Sequence, residues 1–232
     1  MKKAEEIKKQ PTLHAIILSV IGLIVISLVM GFVLKQNSYL LPFDRFVYGL
    51  VEKVPHTSLL DAVVFVFDYN PIPINLHPQF FIVMILIPSI YVALKKRSEF
   101  WWILLAFVVG AIISRILVFT DTALVFRQRP WEVLPNHVTG ALKIALKSWT
   151  SYPSGHTRDT LMLGLIASYF LPKIKYFAIF LALLVGFSRL YLGVHFPTDV
   201  LSGLILGFWS YVLTIKIVEY IRNRKLQTQG SK

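Results

Sequence analysis

The chain has 232 residues, 56% of them hydrophobic and only 16% charged, with a mean hydropathy of +0.65. A soluble domain is nearer about 45–50% apolar, so the composition favours an integral membrane protein over a globular one with a large core. The lack of cysteine excludes disulfides, thiolate chemistry and Cys-ligated metal sites. The net charge of +12 lies in short connections between apolar runs, which fits membrane topology better than nucleic-acid binding.

A helix needs about 20 apolar residues to cross a bilayer. Six stretches qualify, at about 12–34, 78–94, 100–124, 154–171, 176–194 and 198–220. They lack the alternation of barrel strands, so helices satisfy their backbone in lipid. The first is longer than a signal-peptide core, is followed by no clear small-x-small cleavage site, and reads as an uncleaved span. The connection 35–77 holds Pro42, Pro55, Pro71 and Pro73. Two of its pieces, about 43–53 and 58–67, are aromatic and amphipathic and are expected along the membrane surface. Trp101 and Trp102 open the third span as interface anchors, and Arg115 lies inside it, where an ionisable residue is either functional or snorkels outward. The loop 125–153 carries Arg127, Arg129, Lys143 and Lys147. His14, His56, His77 and His137 are scattered in loops and at interfaces and read as solvated. No repeat or composition break divides the chain, so 1–232 reads as one domain, with 35–77 and 125–153 as its long outer loops.

Basic residues set the orientation. Lys2, Lys3, Lys8 and Lys9 precede the first span, and Lys95, Lys96 and Arg97 follow the second. Lys173 and Lys175 follow the fourth, and Arg222, Arg224, Lys225 and Lys232 follow the sixth. With six spans all these lie on one side, and the positive-inside bias makes that side, with both termini, cytoplasmic. The starts of spans four and six and the end of span five then meet at the outer face.

Three polar segments converge there: "FRQRPW" from Phe126, "YPSGHT" from Tyr152 and "SRLYLGVHFPTD" from Ser188. Arginine offers phosphate a planar fork of donors and stays charged, which suits Arg129 and Arg189. A helix beginning near Ser154 presents free N–H groups and a favourable dipole to an anion, and Gly155 lets the backbone approach. His195 and Asp199 are four apart, a spacing at which the carboxylate accepts from one ring nitrogen and leaves the other as a nucleophile. His156 is placed to protonate a leaving oxygen. Asp159 either pairs with Arg158 or tunes His156. Taken singly, Pro-Ser-Gly-His is also an ordinary helix start with a serine cap, and Ser-Arg near a helix end is commonly a snorkelling arginine. Three such segments on one face at these spacings weigh against that.

These segments resemble the phosphatidic acid phosphatase type 2 superfamily, whose pattern is Lys-x6-Arg-Pro, Pro-Ser-Gly-His and Ser-Arg-x5-His-x3-Asp. The second part stands here as Pro153-Ser154-Gly155-His156, and the third as Ser188-Arg189, His195 and Asp199. The first is reduced to Arg129-Pro130, because Thr122 stands where the pattern has lysine. Arg127 and Arg158 are the neighbouring cations available to replace that charge. The resemblance implies an all-α integral membrane phosphatase with six transmembrane helices and both termini cytoplasmic. It implies a multi-pass protein of the cytoplasmic (inner) membrane, acting from the periplasmic or extracellular side without metal or other cofactor. His195 would attack phosphorus, Asp199 orient it, and His156 protonate the leaving group and then activate water. Arg129, Ser154, Gly155 and Arg189 would hold the phosphoryl oxygens. The partners are then membrane lipids and a lipid phosphate substrate, with no nucleic acid. Polyprenyl pyrophosphate, phosphatidylglycerophosphate, phosphatidic acid and lipid A phosphate all fit. A lipid phosphotransferase using the same phosphohistidine, or a non-catalytic phospholipid binder or transporter, is the alternative.

Overall fold

The computed structural model describes residues 12–36, 42–68, 85–133 and 150–230, and all its regular elements are helical. In chain order they are α1 (Leu13–Gln36), α2 (Pro42–Val51), α3 (Ser58–Asp68), α4 (Ile87–Lys95), α5 (Phe100–Leu124), the single-turn α6 (Pro130–Val133), α7 (Gly155–Phe170), α8 (Lys175–Tyr191) and α9 (Pro197–Gly230). Short 3-10 turns, Arg97–Glu99 and Pro172–Ile174, lead into α5 and α8.

Among the described residues, four segments are long and apolar enough to cross a membrane: Leu13–Leu34, Arg97–Asp121, Pro172–Tyr191 and Pro197–Gln229. They coincide with the first, third, fifth and sixth predicted stretches. Part of the second, 78–84, lies outside the described residues, and α4 is its helical remainder. The fourth is α7, whose 16 residues extend about 24 Å at the usual rise. Its composition differs for a physical reason. α7 is the hub, packed against α9, α8 and α5, and most of its residues are buried. A helix surrounded by protein can carry Arg158, Thr160 and Ser168, because its neighbours, not lipid, meet its polar groups.

The inner core joins α4, α5, α7 and α9 through Val92, Ile103, Phe107, Met162, Ile166 and Val218. The outer faces remain apolar, with Leu18 68%, Phe119 74% and Tyr176 82% exposed. In water such area costs roughly 25 cal/mol per Å², so a continuous face of this kind is a lipid-facing surface. At the Lys/Arg-rich end, Glu99 receives two hydrogen bonds from Arg222, at 2.7 and 2.9 Å. The Arg222 and Lys225 charges sit over the Trp102 ring at 5.6 and 5.8 Å.

The two amphipathic pieces of 35–77 are the helices α2 and α3. Proline opens α2, where its missing N–H is no loss. Phe43, Phe46 and Leu50 of α2 are about half exposed or more, whereas Asp44 and Tyr48, one turn apart, are buried. α2 packs on α9 and α8, and α3 packs on α8. His56 lies against the Tyr191 ring at 4.6 Å, next to Asp61, which accepts from the Tyr191 hydroxyl. Arg115 is exposed on α5. His77, His137, Lys143 and Lys147 lie outside the described residues.

Candidate active site

The chain reverses sharply between α8 and α9, and that turn places His195. Gly193 has φ 66°, a left-handed backbone that glycine adopts without strain. Gly193 N–H donates to Leu190 C=O at 2.9 Å, and Val194 N–H donates to Arg189 C=O at 3.1 Å. These paired bonds close the end of α8 and satisfy its last carbonyls. His195 follows directly, only 4% exposed.

The ring of His195 has a defined partner. Its Nδ1 lies 2.7 Å from the backbone carbonyl oxygen of Ser151. A carbonyl only accepts, so Nδ1 carries the proton, and in the neutral ring Nε2 keeps its lone pair. Burial first, then the Arg129 and Arg189 guanidiniums, hold the ring's pKa well below the ordinary 6.5. Arg127 pushes the same way, and the Ser151 bond pushes back. The result is a neutral imidazole between cations, a suitable nucleophile for a phosphoryl group.

Asp199 corrects one sequence expectation. Its Oδ2 is 4.0 Å from His195 Nδ1 and does not take the ring proton directly. Instead Oδ2 accepts from the Ser151 hydroxyl at 2.6 Å and from Phe196 N–H at 2.9 Å, while Oδ1 accepts from Arg127 at 2.6 Å. The reason is competition. Nearer donors saturate the carboxylate, and the same Ser151 that donates its hydroxyl to Asp199 offers its carbonyl to His195. Asp199 therefore reaches the ring only through Ser151.

The residues expected to bind an anion meet around this histidine. Arg129 is held by the carbonyls of Val194 (2.9 Å) and Thr150 (3.4 Å), beside the His195 turn. Arg189 is 1% exposed, and its Nε donates to Ser188 Oγ at 3.2 Å. Ser154 occupies the N-cap of α7 with extended backbone, but its Oγ pairs with Thr157 Oγ1 at 2.9 Å and makes no capping bond. Ser154 N–H donates to the Asp199 carbonyl at 3.1 Å, which ties the start of α7 to the start of α9. Among the described residues, a Cβ at Gly155 would meet only Arg158 Nη2, at 3.9 Å, which leaves room beside this helix start. His156, half buried, stands in the first turn of α7.

The two substitute cations are otherwise engaged. Arg127, 3% exposed, donates to Asp44 at 2.8 Å and Asp199 at 2.6 Å, with its charge 4.2 Å above the Phe196 ring. Arg158 donates to Asp159 at 2.8 Å and Ser114 at 2.9 Å, which settles Asp159 as its ion-pair partner. Neither presents a free fork to a phosphate. Thr122 lies in the last turn of α5, and its side chain is outside those described.

The sequence model of the PAP2 superfamily matches residues 99–223, the stretch that carries Arg129, Ser154, His156, Arg189, His195 and Asp199. The chain belongs to the PAP2 superfamily. It is 33% identical over 116 residues to the bacitracin transport permease protein BcrC of Bacillus licheniformis, covering 50% of this chain and 54% of that one. It is 39% identical over 83 residues to phosphatidylglycerophosphatase B of Bacillus subtilis, covering 31% and 41%. The chain thus aligns with about half the length of these relatives. The fold is similar to the crystal structure of a transmembrane PAP2-type phosphatidylglycerolphosphate phosphatase from Bacillus subtilis, with a TM-score of 0.61 at 23% identity, covering 88% of this chain and 97% of that one.

Beyond the PAP2 motifs the structure adds residues that motif reading passed over. Ser151 and Asp44 lie outside the three motif patterns, and nothing in their sequence spacing marks them. Gly203 and Gly207 did carry a signal, the small-x-x-x-small spacing of close membrane helices. A Cβ at Gly203 would lie 2.6 Å from the Ser154 carbonyl oxygen, and one at Gly207 2.5 Å from that of Arg158. The two glycines let α9 touch the backbone of α7 where the site begins.

Proposed function

We propose that the protein removes a phosphate from a membrane lipid phosphate or pyrophosphate at the outer face of the cytoplasmic membrane. The observation that carries this is the His195 ring, neutral and proton-fixed at Nδ1 by the Ser151 carbonyl, in the field of Arg129 and Arg189. In the first step His195 Nε2 bonds to phosphorus and the bond from phosphorus to the leaving oxygen breaks. His156 gives that oxygen its proton. In the second step His156 takes a proton from water, the hydroxide bonds to phosphorus, and the P–N bond breaks to return His195 and inorganic phosphate. Arg129, Arg189, the Ser154 hydroxyl and the Gly155 N–H neutralise the equatorial oxygens, where charge builds up.

The six-span arrangement with both termini cytoplasmic is the topology we favour. The lysine and arginine clusters support it, and it sets the site where a headgroup stays in water while its chains remain in lipid. Suitable substrates are polyprenyl pyrophosphate, phosphatidylglycerophosphate, phosphatidic acid and lipid A phosphate. The deciding experiment is phosphate release by purified protein across that lipid panel, with a chelator present. No release from any member would overturn the reading, and phosphate recovered on a second lipid in place of water would make the protein a transferase.

Two outcomes follow from the site. Because the surroundings of His195 favour its neutral form, the ring stays unprotonated as pH falls through 6.5 and gains its proton only well below that. The acid limb of kcat/KM, which reports the base of the free enzyme, is therefore expected below pH 6.5. A limb at the ordinary histidine value would contradict this environment. The second concerns Thr122. With Arg127 and Arg158 tied to carboxylates, a lysine at 122 would restore the charge of the first family motif. Thr122→Lys is expected to raise kcat/KM by about tenfold, the usual value of one charge-assisted hydrogen bond. An unchanged or lower value would show the site complete without it.

A further inference from the structure

Asp44 is an unusual residue to find buried on the amphipathic helix α2. It is fully buried, and both its oxygens are used. Oδ1 accepts from Thr198 N–H at 2.9 Å. Oδ2 accepts from Thr198 Oγ1 at 2.9 Å and from Arg127 Nη2 at 2.8 Å. Thr198 is in the first turn of α9, so Asp44 supplies from α2 the acceptor that this helix start needs. On the far side of Arg127, Nη1 reaches Asp199 Oδ1 at 2.6 Å and Thr198 Oγ1 at 2.8 Å. The chain of contacts continues through the Ser151 hydroxyl on Asp199 Oδ2 and the Ser151 carbonyl on His195 Nδ1. Ser151 N–H in turn donates to Arg127 C=O at 2.8 Å, which closes the loop.

The geometry points to Asp44 as a positioning residue: through Arg127 and Asp199 it fixes the Ser151 carbonyl against His195 and so holds the nucleophile in the tautomer with Nε2 free. Without Asp44, the polar contacts of the Arg127 fork described above would be held through Nη1 alone, by Asp199 and Thr198. Two carboxylates on its two terminal nitrogens fix the plane of the fork, and Asp199 is fixed with it. Truncating either buried partner leaves an uncompensated charge, so a purely structural role must be separated from a positioning one. The inference rests on the phosphatase reading for its kinetic arm, but its spectroscopic arm needs no turnover.

The test compares wild type with Asp44→Asn, Asp44→Glu and the double variant Asp44→Asn/Arg127→Gln. Melting in detergent, kcat, KM and the ¹⁵N shifts of His195 are read for each, the last assigned by their loss in His195→Ala. Wild type should show a protonated Nδ1 and an unprotonated Nε2. In Asp44→Asn we expect mixing of the two tautomers and a fall in kcat of up to about a hundredfold with KM little changed, as for a small misplacement of a reacting group. The charges around His195 are Arg129, Arg189 and Arg127, with Asp199 behind the ring. Losing the Asp44 charge leaves Arg127 less compensated, so the acid limb of the surviving activity should move to lower pH. Asp44→Glu should recover part of kcat. The double variant removes the Arg127 charge left over in Asp44→Asn but takes from buried Asp199 its ion-pair partner, so it should regain neither stability nor kcat. Wild-type kcat and tautomer in Asp44→Asn, or a double variant that regains kcat together with stability, would overturn the proposal. A wild-type protein with the fixed tautomer that hydrolyses no lipid phosphate would sink the phosphatase reading and still support this one, provided Asp44→Asn mixes the tautomers.

Discussion

Replacing His195 with alanine is expected to lower phosphate release by about a thousandfold or more while the protein stays folded in detergent. The size follows from the role, since loss of a nucleophile removes the covalent route and leaves only the binding groups. Folding should survive because the ring contributes one hydrogen bond, to Ser151 C=O, worth roughly 1 kcal/mol. The heavier polar interactions, Arg127 with Asp44 and Asp199, remain in place. Arg129 and Arg189 also remain, so substrate should still bind, and the defect should appear in kcat far more than in KM. The check is phosphate release together with melting in the same detergent. Turnover near wild type in a folded His195→Ala protein would refute the assignment of the nucleophile.

Gly207→Val is expected to be the most damaging single change to folding among the close-packed glycines. At Gly207 the obstacle to a side chain is backbone, with the Arg158 carbonyl oxygen 2.5 Å and its Cα 3.2 Å from a Cβ. Backbone cannot swing aside as a side-chain tip can, so α9 and α7 must separate. Overpacking of this kind costs about 1–3 kcal/mol and occasionally more. The separation also moves Ser154 and His156 on α7 away from His195 and Asp199, so activity should fall further than the stability loss explains. Gly22 in α1 is the control, because among the described residues a Cβ there meets nothing within 4 Å. Gly22→Ala should be neutral or stabilise by up to about 1 kcal/mol through helix propensity. Equal effects of the two substitutions on melting temperature and turnover would show that the α7–α9 contact does not set the site.

Much of this was legible from residues alone, for reasons that differ by element. The helices α1, α5, α8 and α9 are visible because lipid demands a continuous apolar run, and nothing else in this chain produces one. α2 and α3 were visible from their amphipathic spacing and the prolines at their borders. α7 was harder to recognise as a long helix, because its neighbours, not lipid, satisfy its polar residues. Arg129, His156, Arg189, His195 and Asp199 stood out because charged and titratable groups at the ends of apolar runs have no cheap structural explanation.

What the sequence by itself determined is therefore the helical membrane class, the polar cluster and the chemistry such residues can perform. Local spacing carries that information, since hydrophobic periodicity and the i,i+4 relation act along the chain. The partners of those residues were decided only by the tertiary structure. His195 and Asp199 have a helix-friendly spacing and were expected to bond directly, yet the Ser151 carbonyl, 44 positions away in the chain, takes the ring proton. Arg127, a candidate to replace the missing lysine, is locked between Asp44 and Asp199, which are 83 and 72 positions distant. A buried charge takes whichever opposite charge packing brings within reach, and only the folded chain sets that distance.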